Sequence, residues 1–185
     1  ATANQVATQN RLDAIEKALF TFWQKNDRLP CPADATLATT NANYGVAASN
    51  NFIDCVGGTP AANFTTATVY KYKAAEGAVP ITTLGLPKDF IFDGWGRKIA
   101  YAVKPEFAAL YARERIPPKS SICVANTAIR IKDAAGGDRS VSAMYALISY
   151  GKNGHGAYPA TGSTRYNAGS TNADEQTNCH CDGTA

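Results

Sequence analysis

Along the first 26 residues the apolar side chains recur at helical spacing. Leu12, Ile15, Leu19 and Trp23 are three, four and four apart, and Phe20 and Phe22 flank this stripe on opposite sides. Asn10, Asp13, Lys17, Thr21 and Gln24 occupy the other side, with Asp13 and Lys17 in the favourable acid-before-base order at i,i+4. The pattern predicts a helix over residues 1–26 whose broad apolar arc buries Leu12, Ile15, Leu19 and Trp23 deeply against the rest of the fold. Its end is explicit: Pro30 and Pro32 remove amide donors and push the residues before them out of helical conformation.

Residues 33–68 are rich in Ala, Asn, Thr and Gly and show no sustained period, so they read as a long variable loop. A loop of this length inside a compact domain needs either hidden short elements or a tether, and a Cys31–Cys55 bridge would supply one. The antiparallel sheet is expected within residues 97–150, with strands at 97–103, 128–132 and 142–150. Ala134-Ala135-Gly136-Gly137-Asp138 is the expected hairpin connection between the last two, because glycine tolerates the positive φ of such turns. Residues 105–114 fit a short helix opened by Pro105 and closed before Pro117-Pro118. Residues 151–185 are polar, dense in glycine and loop-like.

Composition narrows the function classes. A chain of 185 residues with 45% hydrophobic content is enough for one domain with one core. The net charge of +3 is spread along the chain without the basic stripe that phosphate neutralisation requires, so nucleic acid is not the default partner. No apolar run approaches the roughly 20 residues that span a bilayer, and residues 1–11 lack the apolar core and cleavage site of a signal peptide.

Cys31, Cys55, Cys123, Cys179 and Cys181 fit neither a paired zinc pattern nor a C-x-x-C redox motif. They read as disulfides in an oxidising compartment: Cys31 with Cys55, and Cys123 with either Cys179 or Cys181, leaving one tail thiol over. Cys179-His180-Cys181-Asp182 with His155 is a poor zinc set, because adjacent and alternate ligands strain tetrahedral geometry. No nucleophile signature surrounds any cysteine, and both histidines, His155 and His180, lie in the glycine-rich tail. The glycines of 151–156 match neither dinucleotide-binding nor P-loop spacing. The residues therefore give no reason to expect an enzyme.

Three segments carry a resemblance. Gly77-Ala78-Val79-Pro80 followed by Thr83-Leu84-Gly85-Leu86-Pro87 resembles the G-x-V-P…T-L-G-L-P stretch of many type IV pilin-like proteins. Asp93-Gly94-Trp95-Gly96-Arg97-Lys98-Ile99-Ala100-Tyr101 is similar to the D-P-W-G-x-x-Y-x-Y segment that opens the first strand of the major pseudopilins of type II secretion, with Gly94 in place of proline. Ile148-Ser149-Tyr150-Gly151-Lys152-Asn153-Gly154 resembles their S-x-G-x-D-G turn, with Asn153 where the family has aspartate. Even without a family, Asp93, Gly94, Trp95 and Gly96 read as a structural turn: glycines for tightness, a carboxylate to accept amides, an indole over one core edge.

The resemblance implies an α+β, type IV pilin-like fold spanning residues 1–185: a long N-terminal helix on a sheet of three or four antiparallel strands, with a disulfide-fastened C-terminal loop. It further implies a bacterial filament subunit whose partners are other copies of itself or other pilins. Residue 1 would fall midway along the family's long helix, whose apolar first half sits in the inner membrane. The expected location is an extracellular filament or the periplasm-facing inner membrane. A tip-located minor pilin that binds a surface, sugar or DNA is the alternative, and a small secreted enzyme is the third reading. No cofactor is expected, apart from the calcium that major pseudopilins bind after the S-x-G-x-D-G turn. The matching positions are Asn153 and Asp174, yet calcium takes six to eight oxygen ligands and this tail spreads Asp174, Glu175 and Asp182 along a loop.

Overall fold

The computed structural model describes residues 1–48, 55, 75–108, 129–162, 164–166 and 171. Helix α1 runs over Ala3–Asn26 and ends where the apolar pattern does. Thr2 caps it: its hydroxyl accepts from the Gln5 amide and the Gln5 side chain accepts from the Thr2 amide, satisfying two donors that the first turn leaves over. The chain leaves the axis at Asp27, whose left-handed φ of 54° is tolerable for a short polar side chain and lets its amide donate to Trp23 O. The stop thus precedes Pro30 and Pro32, which lie buried beyond it. No helix among the described residues is long and apolar enough to cross a membrane.

Strands β1 (Ala75–Ala78), β2 (Ala100–Val103) and β5 (Tyr145–Ile148) form an antiparallel sheet in the order β1-β2-β5. The central strand is buried along its whole length. Its two faces differ, as the pleat requires. Ile99, Tyr101 and Val103 join Ile15 and Leu19 of α1, with Val79, Ile81 and Ile91, in one core cluster, whereas the alternate Ala100 lines a recess together with Ala35, Lys98, Tyr158 and Arg165. A 3-10 turn over Lys88–Ile91 leads into the segment before β2, and a short helix α2 (Pro105–Ala108) follows β2. Phe107 O accepts from Leu29 N, tying α2 to the chain just after α1.

The fold is α+β with one N-terminal helix and an antiparallel sheet. Three details differ from the sequence pattern. Strand β1 has no counterpart in that pattern, because Ala75-Glu76-Gly77-Ala78 has neither alternation nor branched side chains. The expected strand at 142–150 is two strands: β4 (Asp138–Ala143) pairs with β3 (Ile129–Lys132) in a separate two-stranded sheet, while β5 pairs with β2. The hairpin turn forms as expected, with Asp133 Oδ1 accepting from Ala135 N and Gly137 N. Finally, Leu12 and Trp23 are only partly buried; the deep positions of the helix are Thr8, Ile15 and Leu19.

Of the 33–68 stretch, residues 33–48 and 55 are described, and they are tied to the sheet and to the chain after it. Ala33 exchanges hydrogen bonds with Ala78 on the outer edge of β1, at 2.9 and 2.8 Å, and bridges Ala47. The returning chain is held by Thr82 Oγ1 donating to Tyr44 O and by Thr83 Oγ1 accepting from Ala47 N. Cys31 and Cys55 form the expected disulfide, and both are buried.

Candidate functional site

Two of the segments that carry the resemblance meet at one place, the turn that follows the 3-10 segment. Asp93 is 1% exposed, and its carboxylate is fully engaged. Oδ1 accepts from Trp95 N (2.9 Å) and Arg97 N (3.0 Å), and Oδ2 accepts from Ser149 Oγ (2.8 Å). Ser149 Oγ in turn accepts from Gly151 N. The Asp93-Gly94-Trp95-Gly96 turn and the Ser149-Tyr150-Gly151 turn are therefore fastened to each other through one buried carboxylate. The Arg97 side chain extends the junction: it lies against Gly154, and its Nη1 donates to Trp95 O.

Helix α1 closes over the same turn. Arg11 Nη1 donates to the carbonyls of Phe92 (2.8 Å) and Asp93 (2.9 Å). Thr8 Oγ1 accepts from Gly94 N at 2.9 Å while donating to Asn4 O. In the amide orientation that satisfies both ends, Asn4 Nδ2 donates to Gly94 O and Asn4 Oδ1 accepts from the Trp95 indole N–H, each at 3.2 Å. The two glycines have different jobs. Gly96 has φ +77°, a left-handed conformation, and open space where a Cβ would stand. Gly94 has no positive φ, but a Cβ there would meet the backbone of Asn4, so its smallness is what lets the helix approach.

The hydrophobic pattern does not mark Asn4, Thr8 and Arg11, although they lie on the same helical face as Ile15 and Leu19, at spacings of four, three, four and four. The signal is a stripe that is polar in its first half and apolar in its second. Polar residues at helical spacing read by default as a solvated face, and only the partner turn shows otherwise.

On the other side of the sheet, Lys98 Nζ donates to Ala35 O (2.9 Å) and Leu37 O (2.6 Å) and lies 5.2 Å from the Tyr44 ring centroid. The residue is 2% exposed. Burial pulls its pKa down from 10.5 to about 8, against an opposing pull from Asp34. Burial, with Asp89 adding to it, pushes the Tyr44 phenol up to about 12. Beside Lys98, Tyr150 Oη donates to Glu76 Oε1 (3.4 Å), Arg165 pairs with Glu76 (3.6 Å), and its guanidinium stacks 5.0 Å from the Tyr158 ring centroid. The recess these residues enclose is about 10 Å³, room for one water molecule and not for an organic ligand.

Of the calcium pair, Asn153 is exposed on the turn after Ser149, while Asp174 lies outside the described residues. Cys123, Cys179, Cys181 and His180 also lie outside them. Among the described residues no group of three or more His, Cys, Asp or Glu is gathered where it could hold a metal ion. Comparison of the chain with protein-family models, with curated proteins and with solved structures gave no match.

Proposed function

We propose that this domain is the globular part of a type IV pilin-like subunit, a pilin or pseudopilin, that works by assembly and not by catalysis. The reading rests on one observation: the two segments that resemble the family's turn motifs are joined through Asp93 and Ser149, and the N-terminal helix docks on that joint through Arg11 and Thr8. Such a joint fixes the direction in which a long helix leaves the globular domain, which is the geometric requirement for a subunit that repeats along a filament. Its partners are copies of itself or other pilins in a heterologous, non-closing contact that generates a helical polymer. In this reading an apolar helical segment, anchored in the inner membrane of a bacterium before assembly, precedes α1 and takes the place of the Thr2 cap.

The test is to express the full natural gene product, fractionate membranes and image sheared surface material. The expected result is a short basic leader, an apolar stretch of about 20 residues before Ala1, and the protein in filaments or the inner-membrane fraction. A monomer released behind an ordinary cleavable signal peptide ending near Ala1 would overturn the proposal and revive the secreted-enzyme reading.

A further inference from the structure

We draw no further inference here: the strongest candidate, the β3–β4 hairpin, which forms a two-stranded sheet of its own, exposes the apolar side chains of Ile131 and Val141, and nothing in the structure shows what covers them.

Discussion

Two glycines, Gly94 and Gly96, separate two physical causes that a sequence cannot tell apart. At Gly96 an alanine meets open space and suffers only the left-handed backbone, a penalty of about 1 kcal/mol. At Gly94 the added methyl meets the Asn4 backbone, so α1 must shift away from the turn, at about 2 to 3 kcal/mol for overpacking plus the weakened Thr8 and Arg11 bonds. Urea unfolding of Gly94→Ala and Gly96→Ala should show the larger loss at Gly94, and equal midpoints would show that the helix does not rest on the turn. Lys98 gives a second residue-scale prediction. Its folded pKa is depressed to about 8 from 10.5, so between those values the unfolded chain binds more protons than the folded one. Stability from this group must then rise as pH rises through that window and stay level below it. The neutral amine keeps two N–H donors for the two carbonyls, Ala35 O and Leu37 O, so deprotonation relieves desolvation without breaking the contact. Above about pH 10 the buried Tyr101 opposes the trend, because its pKa is raised well above 10.0 and only the unfolded phenol ionises there. Denaturant midpoints from pH 7 to 10 should therefore climb in the wild type, relative to Lys98→Met. A constant difference between the two proteins across that range would contradict the assignment.

Elements were legible where the signal is local. The helix end at Asn26 and the turn at 134–138 followed from pattern and turn chemistry, since both depend on neighbours in sequence. Strand β1, absent from the pattern, depends on neighbours in space: Ala75-Glu76-Gly77-Ala78 becomes a strand because β2 pairs on one side and Ala33 on the other. The division of 138–148 into two strands is equally non-local, as β4 follows β3 while β5 returns to β2. The depth of the helix stripe departs from the pattern for a related reason. Trp23 is the largest apolar residue on that face but stands near the helix end, packing edge-on against Phe20, which is itself 54% exposed. Leu19 is fully buried in the cluster with Tyr101 and Val103. Leu19→Ala should cost about 2 to 5 kcal/mol through lost transfer energy and a residual cavity, and Trp23→Ala should cost less because its ring is only partly buried and leans on the exposed Phe20. Thermal or urea unfolding of the two variants gives the order. The reverse ranking would mean that α1 buries its C-terminal turn more deeply than described.

At the scale of the molecule, the sheet packs on one face with α1, through Ile15 and Leu19, and on the other with the chain at Ala35 and Leu37, which Lys98 holds. The polar fastenings hold these covers in place, because short strands of small residues present little apolar area of their own. Tyr101 Oη donates to Pro30 O, Lys98 holds the carbonyls of Ala35 and Leu37, and Tyr166 exchanges hydrogen bonds with Gly156 and Ala157. The Cys31–Cys55 tether was legible in the sequence, since the two cysteines bracket a core-poor stretch that a disulfide formed in an oxidising compartment can hold closed. The polar latches were not visible there, because each ends on a backbone group whose position depends on the finished fold. The bridge spans 24 residues and restricts the unfolded chain by about 3 kcal/mol on the loop-entropy account. Both cysteines are buried in the core cluster, so the double alanine variant avoids leaving one buried thiol unpaired. The double variant Cys31→Ala/Cys55→Ala should unfold at lower denaturant and be cleaved first within 33–48, while α1 stays protected through its own bonds to Asp93 and Gly94. Limited proteolysis with mass mapping reads both effects at once. If α1 and the 33–48 segment lost protection together, the tether would be holding the whole fold and not one cover of the sheet.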